Sequence, residues 1–172
     1  MKEYLYYGLQ YDVNNSKLTT MSVDNEVYEC DNIRDLMDYY YSKKQNIKVY
    51  CLKLNIFAIN YVKAFGKDNY SKESKINNLK QDSYTYRFGT SRAVCYLLAA
   101  KHNKKVIEFI DISNIIPRQD IEDLRKTFNG NTDIETTVNV VKFFIEHNID
   151  KRTIGRQAFA EYQEMIKRVN SH

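Results

Sequence analysis

Residues 133–165 read DIETTVNVVKFFIEHNIDKRTIGRQAFAEYQEM. Ile134, Val138, Val141 and Ile145 recur at steps of three and four, so an amphipathic helix opens at Asp133. Thr132 and Glu135 frame that start as a capping box, with Thr132 as N-cap and Glu135 reaching back. An acid at the first helical position is also favoured by the helix dipole. A polar break from His147 to Thr153 leads into a second helical run beginning near Gly155.

Working outward, Lys105–Asp111 reads as a strand, and Pro117 starts a short helix that carries Ile121, Leu124 and Phe128. Tyr84–Phe88 and Arg92–Ala100 are two further strands, and His102-Asn103-Lys104 is a tight turn into the third. Residues 67–82 are polar and lack periodicity, which predicts an exposed loop. Ile56–Phe65 is a helical run, and Ile47–Leu54 a buried strand. Asp31 is the expected N-cap of a helix bearing Ile33, Leu36, Met37 and Tyr40, with Lys43 and Lys44 closing its C-terminal end. Glu3–Gln10 and Lys17–Val23 form a hairpin.

The chain has 172 residues, of which 43% are hydrophobic and 28% charged, a globular balance with enough length for a real core. Five Gly and one Pro imply well-formed elements joined by polar loops. The abundance of Lys, Asn, Ile and Tyr suits an AT-rich coding sequence of a phage or mobile element. A net charge of +4 mildly favours an anionic partner. Cys30, Cys51 and Cys95 form no CxxC, which argues against a zinc site or disulfide framework and fits a reducing cytoplasm. No stretch has the length of a signal peptide core or a membrane span, so no membrane is expected as a partner and a cytoplasmic setting in a bacterial host is.

The segment 133–165, with its acidic helix start and Thr153-Ile154-Gly155 step, resembles the end of the 3′–5′ exonuclease domain of protein-primed family B phage DNA polymerases. Leu5-Tyr6-Tyr7-Gly8 resembles that domain's second strand, and Asn32–Tyr40 the helix that follows. Lys105–Phe128 resembles its strand, acidic turn, proline and short helix, with Asp111 and Pro117 at the family spacing. The resemblance implies one α/β domain over 1–172, an RNase-H-like exonuclease fold with a mixed sheet flanked by helices and lacking the usual first strand. Nothing in the chain resembles the palm, fingers or thumb.

Such exonucleases hold two divalent ions with four carboxylates. The resemblance puts the first motif, Asp-x-Glu, ahead of Met1. It puts the second motif's Asn and Asp positions at Lys53 and Phe57, and the third motif's Tyr position at Asn129, leaving Asp133. One matched carboxylate cannot hold two hard cations, so neither catalysis nor a metal is expected. Asp133, Asp111 and Glu135 are the residual catalytic candidates, each with a capping or turn role as the plainer reading.

Lys151, Arg152 and Arg156 cluster between the last two helices, and Lys101, Lys104 and Lys105 make a basic turn; these six are the candidate nucleic-acid contacts. Tyr39-Tyr40-Tyr41, Tyr84 and Tyr86 could stack on bases, although aromatics at helix or strand period are usually core. The resulting expectation is a catalytically inactive exonuclease-like protein that acts by binding, as an anti-CRISPR inhibitor of a CRISPR effector nuclease or its guide RNA. A magnesium-dependent nuclease with a rearranged site, drawing on an acid such as Glu108, is one alternative. An accessory single-strand-binding replication factor is another. The expected partners are a host or CRISPR nuclease or single-stranded DNA or RNA, with an open sheet edge available to a second copy.

Overall fold

Alternating residues of the first strand point to two different cores, and that alternation organises the molecule. The computed structural model describes the backbone of residues 4–12, 14–15, 17–54, 76–81, 84–91, 94–101, 105–116, 120–149 and 156–171, and side chains within these outside 76–106 and 114. Its strands are β1 (Tyr4–Asp12), β2 (Lys17–Ser22), β3 (Val27–Cys30), β4 (Asn46–Cys51), β5 (Ile76–Gln81), β6 (Tyr84–Ser91), β7 (Val94–Lys101) and β8 (Lys105–Asp111). Its helices are α1 (Ile33–Tyr41), α2 (Ile121–Phe128), α3 (Asp133–Glu146) and α4 (Arg156–Asn170).

The sheet order is β3-β2-β1-β4-β8-β7-β6-β5. β1 runs antiparallel to β2 and parallel to β4, and β4 runs parallel to β8. The five strands β3-β2-β1-β4-β8 thus form a mixed, RNase-H-like sheet with helices on both faces. Strands β7, β6 and β5 extend it as an antiparallel meander.

This arrangement corrects the expectation of a lost first strand. β1 itself lies centrally, paired on both sides, so Leu5–Gly8 stands in the first-strand place rather than the second. The expectation of a first motif ahead of Met1 rested on that missing strand and loses its basis with it.

Tyr7 and Leu9 face α1, where Leu36, Met37 and Tyr40 are buried with Ile47, Val49 and Phe109. Tyr6 faces the other way, toward the core formed by Phe128, Val141, Phe144 and Tyr162 of α2–α4. Gly8 is on this second face, and a Cβ there would meet Thr137 Cγ2 at 2.9 Å, so its small size lets α3 lie close on β1. Of the tyrosine run, Tyr40 is fully buried and donates to Thr20 Oγ1 at 2.7 Å, while Tyr39 stacks on Tyr28 with centroids 4.2 Å apart. Both have packing roles.

Several local expectations shift by a residue or more. The N-cap of α1 is Asn32, not Asp31: its side chain accepts from Asp35 N at 2.8 Å, whereas Asp31 accepts from the Asn32 amide. α1 ends at Tyr41, so its last turn holds no basic residue; Lys43 lies beyond the Ser42 cap and pairs with Glu26. β3 was not anticipated; it is four residues long and reached through Asn25 at φ 71°. Residues 76–81 of the expected loop form β5, because a ladder needs backbone groups rather than apolar side chains. The helix after Asp111 begins at Ile121 with Asp120 as its cap. The helical run at 56–65, Pro117, Thr153-Ile154-Gly155 and the turn at 102–104 lie outside the described residues.

α3 ends at His147, whose Nδ1 meets the Phe143 carbonyl at 2.9 Å and whose Nε2 pairs with Glu161 of α4. The Phe143 carbonyl holds the imidazole above its ordinary value near 6.5, desolvation opposes this, and Glu161 adds to the rise. The folded state therefore favours the imidazolium. Its contribution is fully present below the unfolded histidine value and fades as pH rises through the folded one. Melting curves of the wild type and His147→Gln should differ more at about pH 5.5 than at about pH 8.5. A difference constant across that range would remove the coupling.

Candidate functional site

β1 and β4 end on the same side of the sheet, and α3 begins there. On β1, Gln10 and Asp12 are two residues apart on the face turned to α3. Gln10 Nε2 donates to Asp133 Oδ2 at 3.1 Å. The other Asp133 oxygen is paired with the guanidinium of Arg125, from α2. Asp12 is turned to a local task, accepting from Asn14 N at 3.0 Å and from Asn15 Nδ2 at 2.8 Å. The Asn15 amide leads in holding that exposed carboxyl below its ordinary value.

The α2–α3 corner explains how Arg125 arrives. Asn129 takes the left-handed conformation, φ 55°, and Gly130 N–H closes on the Arg125 carbonyl at 3.3 Å. This is the Schellman closure of α2. Asn is among the residues that tolerate left-handed backbone, which suits it to position 129. Thr132 then caps α3, its Oγ1 accepting from Glu135 N at 3.2 Å. The Glu135 carboxylate reaches one residue further back than a standard box, accepting from Asn131 N at 3.2 Å.

Asp111 ends β8 and is 6% exposed. One oxygen accepts from Leu54 N at 3.0 Å and the other from Ser113 N at 2.9 Å, with Ser113 Oγ also donating. The carboxylate thereby ties the turn after β4 to the turn after β8. That turn includes Lys53, exposed and at φ 56°. Asp111→Ala would leave the buried Leu54 N–H without its acceptor and is expected to cost roughly 2 kcal/mol. Chemical denaturation measures this, and an unchanged midpoint would remove the strapping role.

The acids do not converge. Glu135 caps a helix, Asp111 straps two turns, and Glu108 sits opposite Lys48, in the same row as Tyr6 and not that of Gln10. Among the described residues no three His, Cys, Asp or Glu side chains form a group able to hold a metal. The chemistry at Asp133 does not fit a pair of divalent ions: its oxygens already meet a guanidinium and an amide. Phe57 lies outside the described residues.

The basic candidates are also dispersed. Lys101 and Lys105 are register partners at the end of β7 and the start of β8. The start of β8 is at the opposite end of the parallel strands from Asp133. Arg156 is exposed at the start of α4. Lys104, Lys151 and Arg152 lie outside the described residues. Arg125 and Gln10, which hold Asp133, were not anticipated. The i, i+2 polar pair Gln10/Asp12 on a strand was their only sequence signal.

No family model and no curated protein matches this chain. Solved structures do. Phi29 DNA polymerase complexed with primer-template DNA and incoming nucleotide substrates matches with a TM-score of 0.54 and 10% identity, over 89% of this chain and 32% of the polymerase. The post-translocation binary complex with primer-template DNA matches at 0.53 and 13% identity, over 86% and 32%. Phi29 DNA polymerase complexed with single-stranded DNA matches at 0.51 and 12% identity, over the same shares. The chain spans about a third of the polymerase's length. At such identities the likeness shows the fold, a distant structural relationship to part of a phage DNA polymerase. No helix among the described residues is long and apolar enough to cross a membrane.

Proposed function

We propose that this chain is a catalytically silent exonuclease-like protein of a phage or mobile element that acts by binding, as an anti-CRISPR inhibitor of a CRISPR effector nuclease or its guide RNA. One observation carries the silent half of this reading: Arg125 and Gln10 occupy both oxygens of Asp133, the acid the resemblance keeps. A guanidinium supplies there the positive charge a metal would bring, but offers no activated water. The binding half is supported by the polymerase-like fold, the net charge of +4 and the phage-like composition. Lys101, Lys104, Lys105, Lys151, Arg152 and Arg156 are the proposed nucleic-acid contacts. No cofactor enters this reading, and magnesium belongs to the nuclease alternative alone.

The test has two arms. The purified chain is incubated with labelled single-stranded DNA and guide RNA in magnesium, and separately added to a CRISPR effector cleaving its target. The expected result is no cleavage in the first arm and inhibition in the second. Magnesium-dependent cleavage abolished by Asp133→Ala would establish the nuclease reading instead. Salt-sensitive single-strand binding with an unaffected effector would establish the replication-factor reading.

A further inference from the structure

The two ends of the sheet differ in charge. β3 ends it on one side and β5 on the other, so each has one side that no strand among the described residues covers. Residues 24–38, which hold β3 and α1, carry six acids and a single base. Lys17 pairs with Glu29 and Lys43 with Glu26, whereas Asp24, Asp31 and Asp35 meet no cation among the described residues. Residues 75–92, which hold β5 and β6, carry four bases and a single acid.

The backbone at the acidic end is set for pairing. Ser22 N–H donates to the Glu26 carbonyl at 2.8 Å where β2 turns into β3. Bonded pairs alternate from there along an antiparallel ladder, through Thr20–Tyr28 and Leu18–Cys30. The N–H and C=O groups of Val27 and Glu29 consequently point away from β2. Val27 is 54% exposed, the most of any large hydrophobic side chain described. β3 runs in the direction of β1, as do β4, β8 and β6, whereas β5 runs against them.

We propose that the chain associates with copies of itself head to tail, β3 of one copy against β5 of the next, as one continuous sheet. A second copy that continues the sheet, turned to follow its twist, sets its β5 antiparallel to β3. Main-chain hydrogen bonds hold such an edge, as in any added strand. Charge selects the partner edge. A two-fold pairing would set acid against acid at β3, or base against base at β5, whereas head-to-tail pairing sets acid against base. The contact is heterologous, so each copy keeps one edge open and the association repeats beyond two. β3 offers only four residues, so the contact is short and leans on its charges. This proposal uses neither Asp133 nor the six proposed nucleic-acid contacts, so its failure leaves the inhibitor reading standing.

Sedimentation velocity of the full chain over a concentration series tests it. Species larger than a dimer should grow with concentration in about 50 mM salt and revert to monomer in about 500 mM salt. Glu29→Lys and Lys80→Glu, each with an unchanged circular dichroism spectrum, should weaken association by roughly tenfold or more. An equimolar mixture of these two variants should assemble again, because each then offers the other an edge of opposite charge. Val27→Pro removes an outward N–H without touching the β2 ladder and should also leave a folded monomer. A monomer at every concentration, an assembly that stops at two, or undiminished assembly in the folded variants would overturn the proposal.

Discussion

Gly130→Ala is expected to destabilise the chain by roughly 3 kcal/mol. That corresponds to a fall in melting temperature of roughly 6–12 °C for a domain of this size. A Cβ at this position would lie 2.1 Å from Thr136 Oγ1, 2.7 Å from Thr136 Cα and 2.8 Å from Thr136 N. The hydroxyl could rotate aside, but the Cα and N belong to the first turns of α3 and cannot. Relief therefore requires the α2–α3 corner to open. Opening strains the Gly130 N–H bond to the Arg125 carbonyl and draws the Arg125 side chain from Asp133. The same variant thus ties stability to the site. Differential scanning calorimetry measures the first effect, and a shift under 2 °C, roughly what half a kcal/mol produces, would show that the corner tolerates a methyl group.

Phe109→Ala is expected to cost roughly 3–5 kcal/mol, the ordinary range for emptying a large aromatic from a core. Phe109 is fully buried on β8 and meets Tyr40 edge-on, with ring centroids 6.0 Å apart. Its register partner on β4 is Val49, so it sits under α1 in the layer shared with Met37 and Ile47. A void there has no easy collapse, because β8 is fixed between β4 and β7 and α1 is held through the Tyr40–Thr20 hydrogen bond. Urea denaturation gives the free energy, and a loss below about 1 kcal/mol would mean that the layer relaxes into the space.

The two variants probe opposite faces of one sheet, and the site is built where β1 and β4 of that sheet end. Asp133 would be an ordinary helix-start acid on an isolated helix. In the fold it is approached by Gln10 from the central strand and by Arg125 from the preceding helix. Removing Asp133 alone therefore costs less than disturbing Gly130, since both partners of Asp133 are partly exposed and can turn to water.

Local patterns were enough for most elements. The buried face of α1, the α3 helix from Asp133, the Thr132 cap and the strand ending at Asp111 follow from periodicity and capping chemistry, which act within a few residues. The likeness of 133–165 to a polymerase exonuclease end pointed to the fold class for the same reason. What failed were statements about long-range partners. β5 forms because β6 offers it a ladder, and Lys43, just past the end of α1, meets Glu26, which only the fold brings near.

The amino-acid sequence by itself determined most of the helices and strands and which side of each is apolar. Only the tertiary structure decided that β1 is the central strand and that Asp133 faces an arginine and an amide. It alone joined Tyr6, Lys48 and Glu108 into one row. The reason is physical: backbone conformation and amphipathicity are set by neighbours along the chain. Strand order and the charge facing a carboxylate depend on residues brought together only when the sheet closes.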